Sequence, residues 1–252
     1  MTSLEPWQLA VLAGVGAVAG FVNTVAGAGS LLSLRALMLF GLPAGVANGT
    51  NRLPVLSQSL TAGLQFYRAG KLDGASVARA AWPASLGALV GSLTATYVPE
   101  RPMRLLLILV LLAVGLLGLR KSKVKQHDAP VSAAHLNTPR MVLWLFLTGV
   151  YGGFLQAGVG LVLIHALTGP GKLDLVRANA LKAIVIAIFS VVAATVFVAR
   201  GQVAWLVSLP MIVGSIVGAR IAVAVAISWA DRLKIGVVVV DLLACVVLLW
   251  QW

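Results

Sequence analysis

Apolar positions dominate the chain in long runs, and the polar positions between them set the expected elements. The first run, Trp7 to Gly41, spans about 35 residues, against the ~20 that one upright helix needs to cross a bilayer. It is cut at Gly27-Ala28-Gly29, where helix should break because glycine costs about 1 kcal/mol against alanine in a helix interior. The run therefore predicts a hairpin of two unequal helices. Pro43, well placed for a first turn, opens a helix expected to reach about Tyr67. Gly74 to Val98 and Pro102 to Leu119 follow as two further helices. After the polar stretch Arg120 to Thr138 the pattern returns, with Arg140 to Gln156 and Val159 to Thr168 as a second hairpin. Asp174 to Ala199, Val203 to Ala226 and Asp231 to Trp250 complete it.

The return is visible residue by residue. Gly20 to Ser33 has a weaker copy at Gly153 to Val162, each an apolar run broken by close glycines and a side-chain amide, Asn23 or Gln156. An offset of 131 residues lays Gly27 and Gly29 on Gly158 and Gly160, Ala47-Asn48 on Ala178-Asn179, Phe66 on Phe197 and Gly70 on Gly201. After a deletion of four, Pro83, Gly87 and Gly91 meet Pro210, Gly214 and Gly218. The expected fold is thus an all-α polytopic membrane protein of two inverted repeats, each a broken or re-entrant helix hairpin followed by three transmembrane helices. Residues 1–119 form the first repeat, 120–139 a cytoplasmic linker and 140–252 the second. Broken helices at matching places in two halves are the best sequence pointer to a transporter's binding site.

Composition agrees: 60% of the residues are hydrophobic, 10% are charged and the mean hydropathy is +1.00, far from an average soluble domain. No polar segment is long enough for a separate soluble domain. Met1 to Pro6 lacks a basic leader region and reads as mature protein. The lone Cys245 excludes an intrachain disulfide and any cysteine metal cluster, so no cofactor or metal is expected. The net charge of +12 does not mark a nucleic-acid partner, because the cations sit mainly in loops between apolar runs and act as topology signals. With the linker inside and each hairpin returning to its own side, loops hold twelve Lys and Arg inside against three outside. If each hairpin region crosses once instead, the count is nine against six. The hairpin reading puts both termini outside. Trp7, Trp144, Trp205, Trp229 and Trp250 then serve as interfacial anchors.

Five ionisable groups remain inside apolar segments: Arg35, Arg52, Lys182, Arg220 and Asp241. Each costs at least ~2.5 kcal/mol on insertion scales and needs a partner, a wet cavity or a route to the interface. Arg52 lies nine residues past Pro43, near the middle of a core ~30 Å thick. Lys182 is comparably deep. Two fixed cations, with Asn23, Ser30, Asn48, Thr50, Asn51, Gln156 and Asn179 nearby and two helix breaks beside them, make a site for a small anion. Arginine's fork and lysine's point charge both suit oxyanions. The competing reading is that Arg52 and Lys182 bond to carbonyls freed at the breaks and touch no solute. His165 and Asp241 are the candidates for a coupling proton, against a carbonyl-bonded histidine and an ion pair with Arg220. Arg220 itself is close enough to its helix end to snorkel. Ser33, Gln65 and Tyr151 are weaker candidates for lining a path.

These residues resemble those of the sulfite exporter TauE/SafE family of small membrane permeases. The likeness lies in Gly20-Phe21-Val22-Asn23 with Ala26 to Gly29, Gly41-Leu42-Pro43, Ala47 to Thr50, Tyr67 to Asp73, Gly152 to Gly160 and Pro210 to Gly218. The resemblance implies transport of sulfite, sulfoacetate, other sulfonates or carboxylates across the bacterial inner membrane. Arg35 stands where the family commonly has a proline, which leaves the substrate open. The expectation is a secondary transporter, most simply an exporter, working by alternating access in the lipid bilayer with proton or sodium coupling; a homodimer is left open. A passive anion channel is the nearer alternative. An intramembrane enzyme using His165 and Asp241 is the farther one, and no nucleophile, base and orienter set supports it.

Overall fold

The computed structural model describes residues 5–118 and 136–228, which are helical with no strand among them. Most of the expected linker and the final helix, with Trp229, Asp241, Cys245 and Trp250, lie outside the described residues. The elements are α1 (Pro6–Val25), α2 (Gly29–Leu39), α3 (Ala44–Thr50), α4 (Arg52–Arg68), α5 (Gly74–Thr96) and α6 (Glu100–Gly118). The second half supplies α7 (Pro139–Phe154), α8 (Val159–Thr168), α9 (Leu175–Ala199) and α10 (Trp205–Ser228). Among the described residues, Pro6–Val25, Leu175–Ala199 and Trp205–Val225 are long and apolar enough to cross a membrane. At 11 and 10 residues, α2 and α8 reach about half that span.

Both hairpins fall where the glycines place them. One expectation fails: Pro43 to Tyr67 is not a single helix but α3 and α4, joined at Asn51. Pro54 is the reason. It has no N–H to give to the Thr50 carbonyl four residues back, and its ring crowds that oxygen. The aligned position in the second half is Val185, and there α9 runs unbroken for 25 residues.

The halves share local conformations as well as helices. At the offset of 131, Gly27, Gly41 and Gly70 align with Gly158, Lys172 and Gly201, and all six have left-handed φ between 54° and 84°. Packing follows the same exchange. α1 lies against α10 and α5 against α7; α4 lies against α10 and α5 against α9; α4 and α9 lie against each other.

Four glycine pairs at a spacing of four set the two tightest crossings. Gly16 and Gly20 of α1 meet the backbone of Met211 and Ser215, while Gly214 and Gly218 of α10 meet Ala13 and Ala17. Gly87 and Gly91 of α5 meet Phe146 and Val150, while Gly149 and Gly153 of α7 meet Ala84 and Ala88. Without a hydrophobic drive between helices in lipid, such small-residue faces let backbones approach and gain dispersion contact.

Loop ends are fixed by polar caps. The Glu100 carboxylate accepts from the N–H groups of Ala44 (2.8 Å) and Gly45 (3.4 Å), so α6 holds the start of α3. Asp73 caps α5 by accepting from Ser76 N at 2.7 Å, and the Ser76 hydrogen bond holds its carboxyl below the usual range. Asp73→Ala is expected to cost about 1 kcal/mol at neutral pH. A lowered folded-state value means that this stabilisation is present above the unfolded carboxylate's pKa and lost as pH falls through the folded one. Thermal melts of parent and variant should therefore converge in acid.

Candidate functional site

The two helix breaks meet. Val25 ends α1, and Gly27 turns the chain at φ 84° into α2. In the second hairpin Gln156 (φ 57°) and Gly158 (φ 66°) turn α7 into α8. Gly27 sits backbone to backbone on Gly160: a Cβ on Gly27 would lie 2.8 Å from the Gly160 Cα. Ser30 braces the contact, its Oγ donating to Gln156 O at 3.1 Å and accepting from Gly158 N at 3.0 Å.

Each break frees carbonyls at the end of a helix, and each set is taken up by a cation from the other half. Arg52, at the head of α4, donates from Nη1 to Gly152 O and from Nη2 to Gly153 O (2.7 Å) and Phe154 O (3.2 Å). Nη2 also reaches Asn48 Oδ1 at 3.2 Å, and Asn48 Nδ2 donates to Phe154 O at 2.7 Å. The guanidinium lies 4.9 Å above the Phe197 ring. Lys182 Nζ, from α9, donates to Asn23 O and Thr24 O, both at 3.0 Å, closing the end of α1. Cations belong at helix C-termini, where the aligned peptide dipoles leave about half a negative charge.

The remaining expected site residues divide. Asn23, Ser30, Asn48, Asn51, Arg52, Gln156, Asn179 and Lys182 are all buried, none more than 4% exposed. Gln156 Nε2 donates to Ser190 Oγ at 2.9 Å, and Ser33 Oγ donates to Asn51 Oδ1. Thr50 is buried too, but its hydroxyl accepts from Ala204 N at 2.9 Å and so holds the approach to α10. His165 is exposed, with Nδ1 2.9 Å from Leu161 O one turn back, and is not gathered into this cluster. Asp241 lies outside the described residues. Arg35 is half-buried, while Arg220 is exposed on α10 as a snorkelling residue would be.

Arg52 and Lys182 are thus engaged with main chain among the described residues. Their donors go to carbonyls freed at the breaks, the competing reading of the same residues. The cluster is nonetheless unsatisfied. Asn51 Nδ2, Arg52 Nε, Gln156 Oε1 and Asn179 Oδ1 are buried with no hydrogen-bond partner, in a setting where buried polar atoms are nearly always paired. Among the described residues the one ion pair is Arg177 with Asp174, at the surface. Arg52 and Lys182 thus meet two helix C-terminal ends without an ion pair to any acid among the described residues, and the positive N-terminal ends of α2 and α8 start at the same place.

Sequence reading passed over Ser190 and Phe197. On α9, Asn179, Lys182, Ser190 and Phe197 fall within about 80° of one another at 100° per residue, on one side of a mostly apolar helix.

The model of a family described as sulfite exporter TauE/SafE matches residues 12–248. A probable membrane transporter protein of Haemophilus influenzae is 30% identical over 84% of this chain and 83% of its own length. The probable membrane transporter protein YfcA of Escherichia coli K12 is 26% identical over 91% and 85%, and the probable membrane transporter protein ORF9 of a Sinorhizobium species 28% over 81% and 77%. No solved structure matches the chain.

Proposed function

We propose that this chain, which belongs to the sulfite exporter TauE/SafE family, is a secondary transporter that exports a small organic or sulfur-containing anion such as sulfite, sulfoacetate or another sulfonate across the bacterial inner membrane. The observation that carries the reading is that Arg52 and Lys182 are both buried where the two breaks meet and neither has an ion pair among the described residues. Burying a charge is expensive unless it is paired, and a passing anion would supply the missing partner. Arg52 and Lys182 then exchange ligands: each leaves its helix-end carbonyls for a sulfonate or carboxylate oxygen as the hairpins part, and returns when the anion leaves. Asn51 Nδ2 and Arg52 Nε are the unpaired donors nearest to that task.

The two halves are read as inverted repeats rocking about the Gly27 and Gly160 contact, supported by their shared turn conformations and exchanged packing. A carrier is favoured over an open channel by the near-complete burial of the cluster. In this reading the coupling ion is a proton or sodium, and both termini are periplasmic. The test is flux from proteoliposomes loaded with sulfite, sulfoacetate or a simple carboxylate under an imposed proton or sodium gradient. Parent protein should build a concentration gradient of at least one of them, and Lys182→Ala should lower its affinity at least about tenfold, the equivalent of 1.4 kcal/mol. If every anion binds Lys182→Ala and Arg52→Ala as it binds the parent, the site is misassigned; uncoupled flux at channel rates would replace the carrier by a channel.

A further inference from the structure

A second group of cationic side chains lies outside this cluster, on a side of α4 and α10 that is exposed among the described residues. Thr61, Leu64, Gln65 and Arg68 of α4 and Arg220 of α10 line an open groove of about 380 Å³. Arg68 and Arg220 are exposed, and neither has an acidic partner among the described residues. The Gln65 amide nitrogen is buried with no hydrogen-bond partner. Along the same two helices Leu60, Leu64, Val217 and Ile221 are large, apolar and 44–53% exposed. The two helices share a buried apolar cluster that includes Ala62 and Phe66 of α4 and Ala222 and Val223 of α10, and Ser215 Oγ donates to Pro54 O at 3.0 Å.

Internal duplication does not account for it. The aligned positions in the other half are Val192 and Val196 for Thr61 and Gln65, Ala199 for Arg68 and Leu93 for Arg220. These positions of α9 and α5 are therefore apolar. Two arginine forks and an amide donor beside an apolar strip match a molecule with an anionic phosphate at one end and hydrocarbon at the other.

We infer that this groove binds the phosphate headgroup of an anionic phospholipid, with the acyl chains along Leu60, Leu64, Val217 and Ile221. Basic pockets between membrane helices recognise such headgroups by charge and hydrogen bonding. The site does not rest on the transport reading, because it shares no residue with the helix breaks.

The experiment compares lipid binding by native mass spectrometry in neutral detergent, using phosphatidylglycerol and phosphatidylcholine with the same acyl chains. Phosphatidylglycerol should bind the parent more tightly. At about 1 kcal/mol per basic group near a membrane phosphate, the Arg68→Gln/Arg220→Gln double variant should lose affinity about thirtyfold and each single variant about fivefold. Arg101→Gln/Arg104→Gln, which removes two exposed charges at the start of α6, should bind like the parent. The single variants read the effect if the double variant does not fold. Equal binding of the two lipids, or undiminished phosphatidylglycerol binding by the groove variants, would overturn the site. Displacement of the lipid by millimolar inorganic phosphate would overturn the lipid assignment and mark the groove as a soluble oxyanion site.

Discussion

Arg52→Ala should lose both anion flux and much of the stability of the fold, and Arg52→Lys should separate the two. The guanidinium takes up three carbonyls at the end of α7, and only one of them, Phe154 O, also receives Asn48 Nδ2. Removing one partner of a buried charged contact costs about 3–5 kcal/mol, because the acceptors stay buried and unpaired. Thermal melting in detergent should show a loss of that order for Arg52→Ala. A lysine keeps the charge but not the planar fork, so it can meet one or two carbonyls and cannot grip an oxyanion with two parallel bonds. Arg52→Lys should fold, with a smaller loss of stability, while anion affinity falls at least about tenfold, 1.4 kcal/mol. A variant whose melting and affinity both match the parent would show that Arg52 neither caps α7 nor meets the solute.

Substitution at the touching glycines should be nearly as damaging, by a purely steric route. Gly160→Ala places a Cβ against the Gly27 backbone, 2.8 Å from its carbonyl oxygen, and Gly27→Ala places one 2.7 Å from Leu161 N. Backbone cannot swing aside as a side chain does, so the two breaks must part. Gly27→Ala also carries the left-handed penalty, about 1–2 kcal/mol, which Gly160→Ala escapes. Gly70→Ala and Gly201→Ala provide the comparison: both have left-handed φ, near 68° and 66°, and no atom lies within 4 Å of the added Cβ. Melting temperatures should rank Gly27→Ala lowest and Gly160→Ala next. The two control variants should lose only the conformational cost. If Gly160→Ala melts with the controls, the breaks are not packed on each other as described.

Residues that bear on the site were partly readable in advance. The positions of both breaks follow from glycine's helix penalty, and the depth of Arg52 and Lys182 follows from counting residues into an apolar run. Pro54 was equally visible, and attention to its missing N–H would have split α3 from α4. The four glycine pairs were legible too, at 16 and 20, 87 and 91, 149 and 153, and 214 and 218. Their assignment to two crossings was not, since spacing alone does not say which small-residue face meets which.

By itself the sequence determined the apolar runs, the interruptions in them, the near-repeat of one half in the other and the presence of cations that lipid would not tolerate unpartnered. Tertiary structure alone decided what those cations touch. Arg52 reaches across 100 to 102 positions to α7, and Lys182 across 158 and 159 to α1. Their partners are main-chain carbonyls, a group that every residue carries. No side-chain pattern can announce such a contact, because what makes a carbonyl available is the end of a helix and what brings a cation to it is the packing of another.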